Sequence, residues 1–463
     1  MAKVKERNEI ASIPTHGRFL TNDFPSLNQL LQKEDKKGLF RHSVVNIGYP
    51  TGFLPLDYRN GLMTNVYDKD DNVIQTYNNI GVFGGTFNTI LGKTGTAKTT
   101  LASQMAVNIS RYCMKRWGIP VEIYHLDAEK AFNYTRAKNI NNIHIMDLKS
   151  IYHITRDVTY LDEIQEMMED TALTKAENQS TFRINTGFLD EFGEPIVYYI
   201  PTIFILDSLP SLAIKSTKLQ KKKGEAKEGS AKALADELAI IEDIGERKDD
   251  MYANRLAKGL SRFYKQMLGL ISKYNFIVIA INHVNKKIET NGMPTSPQMM
   301  YLKMDEAVPC GFAPVYYAHN IFKIVKDELY LTEKGAPFDG FRARIEFLKS
   351  RSNKAGKFCE LSYNQDTGFD ARYSLLEFLG REKGLLEGRN PYTRIKGFDD
   401  VKFDTRNFEE EMKRADVYEA VMSTAQIALE DILSNVKFTD TSPDMNDIST
   451  IISNLERSQK GEF

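Results

Sequence analysis

The run Gly92-Lys93-Thr94-Gly95-Thr96-Ala97-Lys98-Thr99-Thr100 meets the pattern G-x-x-x-x-G-K-[ST] at Gly92, Lys98 and Thr99, with Ala97 where the pattern has its second glycine. Each element of that pattern has a physical task. Backbone N–H groups of a tight loop, with the N-terminus of the helix that follows, cradle phosphate oxygens. Lys98 reaches the outer phosphates, and the Thr99 hydroxyl ligates Mg²⁺. The setting agrees. Residues 87–91 (Phe-Asn-Thr-Ile-Leu) are strand-like, and 99–117 place Leu101, Met105, Ile109 and Tyr112 at helical spacing, with Gly118 positioned to end the helix. Alanine at 97 costs little unless that residue needs positive φ or lies against the nucleotide. Gly92 and Gly95 supply flexibility, so nucleotide binding is expected to survive.

With 463 residues, 42% apolar and 27% charged, the chain has the composition of an ordinary soluble globular protein with room for a large core and attachments. No apolar run approaches the roughly 20 residues of a membrane span, and the first residues lack the apolar stretch of a signal peptide. Cys113, Cys310 and Cys359 are too far apart for a disulfide framework or a zinc site. A reducing, cytoplasmic setting without membrane contact is the expectation. The net charge of −1 gives no overall footprint of nucleic-acid binding, so any such contact must come from local basic groups.

From residue 49 onward, strand-like and helix-like segments alternate, which predicts an α/β fold around a mostly parallel sheet flanked by helices. Residues 1–45 read as an N-terminal arm, 46–390 as the core, and 391–463 as a small helical region (about 407–436) with a polar tail. Residues 147–200 are charged and irregular and read as an insertion. Two long loops are expected, at about 213–255 and 284–313. The first carries the basic run Lys215, Lys218, Lys221, Lys222 and Lys223; the second opens on Lys286 and Lys287.

Polar groups end four strand-like runs in turn: the phosphate loop, Glu129, Asp207, and Asn282-His283. In an open parallel sheet such groups face one crevice beyond the carboxyl ends of the strands. Asp207, closing the apolar run Thr202-Ile-Phe-Ile-Leu, is the expected partner of Mg²⁺, the alternative being a turn or helix cap. Glu129 is a candidate general base for an attacking water. Asn282 or His283 is placed to sense a terminal phosphate and report its loss to the loop that follows.

The ordered set Thr51-Gly-Phe-Leu-Pro-Leu-Asp57, the phosphate loop, Asp127-Ala-Glu-Lys-Ala131, Ile205-Leu-Asp-Ser208 and Ile281-Asn-His283 resembles the core of the RecA recombinases. The likeness continues through Tyr316-Tyr-Ala318, Lys349-Ser-Arg351 and 373–385, and so covers about residues 45–390. It is nearest the phage branch typified by UvsX, which shares the Asn-His pair and also lacks the second loop glycine. The resemblance implies a RecA-like P-loop ATPase that takes ATP and Mg²⁺ and assembles as a helical filament on single-stranded DNA. There it would pair the strand with duplex DNA, and a recombination mediator and a single-strand-binding protein are potential partners. If the chain is phage-encoded, this happens in the host cytoplasm.

Position by position, the resemblance implies Glu129 as catalytic glutamate and Asp207 as the magnesium-side aspartate. His283 would couple the γ-phosphate to DNA affinity, and Asn133 would contact the adenine. Lys349 and Arg351 would reach the ATP of a neighbouring subunit, as an arginine finger does; otherwise they form a solvated basic turn. Arg255 would touch the DNA backbone, and Cys310-Gly311 replace a Gly-Gly pair, with Gly311 still allowing close approach. The lysine run is either a set of DNA phosphate contacts or a solvated insertion, since Glu225 and Glu228 interrupt it. Two rival readings remain: a ring-shaped helicase motor, and a nucleotide-binding filament scaffold without robust catalysis.

Overall fold

The hydrophobic pattern resolves into a nine-stranded sheet with buried residues on both faces. Its strands are β1 (Thr86–Gly92), β2 (Ile123–Asp127), β3 (Tyr152–Thr155), β4 (Thr202–Asp207), β5 (Phe276–His283), β6 (Asn320–Tyr330), β7 (Gly340–Lys349), β8 (Phe358–Asn364) and β9 (Gly368–Asp370). They lie in the order β9-β8-β7-β6-β1-β5-β4-β2-β3. From β6 to β3 every neighbour is parallel, whereas β7, β8 and β9 add an antiparallel flank. The computed structural model describes residues 47–434 except 69, 71, 191–192, 194, 215–249, 287–298 and 390–391. All of these fall in one compact unit, Val45–Val436. The expected N-terminal arm and polar tail lie outside the described residues. Among those described, no helix is long and apolar enough to cross a membrane.

Alternation explains why the central strands are apolar throughout. Side chains point to opposite faces in turn, so a strand covered on both sides needs apolar residues at every position. Ile203 and Ile205 of β4 and Ile277, Ile279 and Ile281 of β5 join one cluster. In that cluster they pack with Leu101, Met105 and Ile109 of α1 (Lys98–Trp117). Phe204, Leu206, Phe276, Val278 and Ala280 join the opposite cluster. That face is covered by α3 (Leu161–Glu177) and α4 (Asp250–Tyr274) through Ile164, Met168, Leu260, Phe263 and Met267. Each such aliphatic or aromatic side chain contributes about 1.5–3 kcal/mol of burial. Helix α1 ends where expected, with Gly118 in the left-handed conformation (φ 72).

The stretch 147–200 corrects the expectation of an insertion. Its strand β3 closes the parallel edge beside β2, and α3 covers one face of the sheet. Only the hairpin of Arg183–Leu189 and Pro195–Tyr199 stands apart from the main sheet. The boundary expected at 390 lies outside the described residues, and the strands on either side of it, Leu386–Arg389 and Tyr392–Ile395, pair with Lys402–Asp404 in one three-stranded antiparallel sheet. A third cluster joins Leu375, Phe378 and Leu379 to Ile395, Phe403, Phe408, Val417, Val421 and Leu429. The last three lie in the final helix, Ala415–Ser434.

Candidate functional site

Register brings the polar strand ends together. His283 pairs with Gly92 across β5 and β1, Asp207 pairs with Asp127 across β4 and β2, and β4 lies beside β5. The four carboxyl ends therefore share one edge of the sheet, where an α/β fold leaves a crevice.

On the first of these ends the loop folds back on its lysine. Lys98 Nζ donates to Gly92 O (3.1 Å) and Lys93 O (2.9 Å), and Thr96 Oγ1 donates to Lys93 O (2.8 Å). Lys98 is buried; burial lowers its ammonium pKa, and the Glu129 and Asp207 carboxylates oppose that shift. Lys93, Thr94 and Gly95 are exposed, and a Cβ on Gly95 (φ 76) would meet only open space. Ala97 adopts φ 62, ψ 32, the left-handed region. This meets the condition under which its methyl group is costly. The backbone N–H groups of residues 94–100 find no acceptor among the described residues; the first helical bond at this end is Leu101 N to Ala97 O (3.0 Å). A row of unpaired donors at a helix start is what an anion requires.

Thr99 Oγ1 donates to Asp207 Oδ2 at 2.7 Å. Among the described residues no cluster of three His, Cys, Asp or Glu side chains could hold a metal alone. One hydroxyl and one carboxylate are instead an all-oxygen set that suits Mg²⁺ completed by phosphate oxygens and water. The residues therefore fit the implied cofactor.

Glu129 is positioned from below by backbone. Ala128 N and Glu129 N donate to Asp207 O (2.7 and 3.3 Å), while the Asp127 carboxylate accepts from Ala131 N (3.3 Å) and Phe132 N (2.8 Å). Glu129 Oε1 then accepts from Ser208 Oγ (2.6 Å) and lies 3.4 Å from His283 Nε2. Asn282 Nδ2 donates to Pro309 O (3.1 Å), and Asn282 Oδ1 accepts from His283 N (2.8 Å). The end of β5 thus faces Glu129 and is hydrogen-bonded to the exit of the second loop. Ser208 and the Asn282–Pro309 link were not assigned roles from sequence.

The remaining candidates are spread out. Asn133 is exposed and caps α2 (Tyr134–Asn141), its Oδ1 accepting from Arg136 N (2.8 Å). Lys349 Nζ donates to Val315 O (2.9 Å) and Tyr316 O (2.7 Å), and Arg351 Nη2 donates to Tyr316 O (3.2 Å). Both therefore rest on the end of the short helix Ala313–Tyr317. Burial, with Arg351 beside it, lowers the Lys349 pKa to about 8. Arg255 is exposed on α4, and Lys286 is exposed on a two-residue strand paired with Glu306–Ala307. Cys310 and Gly311 both have positive φ (72 and 74). A Cβ on Gly311 would come within 2.8 Å of Ala257 Cβ, so this glycine admits the loop against α4. Lys215, Lys218, Lys221, Lys222, Lys223 and Lys287 lie outside the described residues.

No protein-family model matches the chain, and comparison with curated proteins finds no match.

Proposed function

We propose that the chain is a DNA-dependent ATPase of RecA type that forms helical filaments on single-stranded DNA and promotes homologous pairing and strand exchange. The observation that carries this reading is the Thr99–Asp207 bond at 2.7 Å, set beside the unpaired loop donors and Glu129 on adjoining strand ends. ATP phosphates would lie against the N–H groups of residues 94–100, with Lys98 exchanging its loop carbonyls for phosphate oxygens. Bound Mg²⁺ would neutralise developing phosphate charge. Glu129, oriented by Ser208 and His283, orients and deprotonates the attacking water. Lys349 and Arg351 leave the Tyr316 carbonyl to reach the nucleotide of a neighbouring protomer, so full hydrolysis needs the assembly.

The coupling to DNA would run through these contacts. A change at the terminal phosphate alters the Glu129–His283 contact, and Asn282 passes it to Pro309 at the exit of the second loop. Arg255, Lys286, Lys287 and the lysine run supply phosphate contacts, with Gly311 shaping the loop between them. Strand invasion into supercoiled DNA, with and without ATP, tests the proposal. ATP-dependent joint molecules, absent from Lys98→Ala, are expected. Rings that unwind forks, or filaments whose ATPase ignores single-stranded DNA, would sink it in favour of a helicase motor or a scaffold.

A further inference from the structure

His125 lies in β2 with none of its surface exposed. Its Nδ1 is 2.9 Å from the Tyr152 hydroxyl, and its Nε2 is 3.5 Å from Asp207 Oδ2. Nε2 has no hydrogen-bond partner of standard geometry among the described residues. An apolar residue would fill this position without the cost of a buried, under-satisfied ring nitrogen. Tyr152, at the start of β3, is fully buried as well. Burial raises its pKa far above the ordinary phenol range, so it remains a donor. Ser103 of α1 lies beside the Tyr152 hydroxyl. Ser103 Oγ in turn accepts from Asn141 Nδ2 at 3.1 Å, on the last residue of α2.

Among the described residues the Tyr152 hydroxyl has one hydrogen-bond partner, His125 Nδ1, so donating there is what satisfies its hydrogen. An imidazole whose Nδ1 accepts carries its proton on Nε2. The carboxylate oxygen 3.5 Å from that nitrogen is Asp207 Oδ2, which also accepts the Thr99 hydroxyl.

We propose that His125 is a positioning residue: its Nε2–H, fixed by Tyr152, sets the orientation of the Asp207 carboxylate that holds Thr99 and thereby the metal affinity of the pair. The inference rests on the phosphate-site reading. Groups that orient a metal-binding side chain typically change affinity by about 10- to 100-fold when removed.

The test uses the full-length chain with ¹⁵N-labelled histidine, the His125 signals being assigned from their loss in His125→Gln. The Nε2–H tautomer is expected; a ring protonated at Nδ1, alone or together with Nε2, overturns the proposal. Mn²⁺ binding in the presence of ADP, read by electron paramagnetic resonance, supplies the functional arm. Tyr152→Phe, a mild change at a buried site, and His125→Leu should each weaken Mn²⁺ by about tenfold or more. His125→Gln, which keeps a donor, should stay within about threefold of the parent. If the parent binds Mn²⁺ and ADP and Tyr152→Phe binds them equally well, the positioning role alone falls. If the parent binds neither, the phosphate-site reading falls and takes the metal role of His125 with it.

Discussion

Exchanging Ala97 for glycine and for valine probes the left-handed turn that opens α1. At φ 62, ψ 32 the alanine Cβ crowds its own carbonyl, at a cost of about 1–2 kcal/mol. Glycine removes that cost but adds freedom to the unfolded chain, worth about 0.4–1 kcal/mol. It also forfeits part of a methyl that packs against the core, less than about 0.8 kcal/mol. The terms leave Ala97→Gly about 0.5 kcal/mol more stable than the parent. Ala97→Val must hold a β-branched side chain in the same region, a true outlier, and loses a further 1–3 kcal/mol or so. Urea unfolding midpoints at constant slope read both differences. The order glycine, alanine, valine is required, with glycine and valine about 2–3 kcal/mol apart. Valine within about 0.5 kcal/mol of alanine, or glycine less stable by more than about 1.5 kcal/mol, would refute a left-handed residue 97.

Lys349 supplies a pH signature. Its folded pKa of about 8 lies below the ordinary 10.5, so between those values the unfolded chain binds more protons and stability rises with pH. Lys349→Met should flatten that slope in urea titrations across the same window. Lys323 Nζ is buried against Glu306 (2.7 Å) and Glu346 (3.3 Å), tying the return of the second loop to β6. Lys323→Met strands the buried Glu306 carboxylate and should cost about 3–5 kcal/mol by denaturant unfolding, with Glu306→Gln in the same chain recovering part of it. Gln104 of α1 donates to Ile140 O (2.9 Å) and Phe369 O (3.0 Å) and accepts from Phe369 N (2.8 Å). Gln104→Ala leaves these backbone groups buried and unpaired, and should lower stability by at least about 2 kcal/mol.

The parallel half of the sheet was legible because its central strands are largely apolar runs, several of them closed by a polar residue, as Thr202–Asp207 is. The hairpin of Leu62–Tyr67 and Val73–Asn79 was not read as strands, since most of its residues are exposed and no apolar face marks it. Strand β3 is four residues long with only Tyr152 fully buried, too short for periodicity to separate it from a loop. Helix α3 did carry a signal that went unread: Leu161, Ile164, Met168, Ala172 and Lys175 are buried at helical spacing. Lys175 hides that stripe in sequence because its ammonium is satisfied by Ile200 O (2.6 Å) and Tyr274 O (3.0 Å). Lys98, Thr99, Glu129, Asp207 and His283, which the structure brings together, stand out in the sequence as loop and strand-end residues. His125 and Ser208 do not, because what singles them out is contact with residues on other strands. The left-handed turn at Ala97 was invisible for the opposite reason, since only glycine advertises positive φ in a sequence.

Steady-state ATP hydrolysis by the purified chain, with Mg²⁺ and with or without single-stranded DNA, bears most directly on the phosphate-site assignment. Hydrolysis stimulated by DNA is predicted, falling about 10²- to 10⁴-fold in Glu129→Gln while nucleotide binding persists. Equal rates in Glu129→Gln and the parent, or a parent that neither binds nor hydrolyses ATP, would contradict the account.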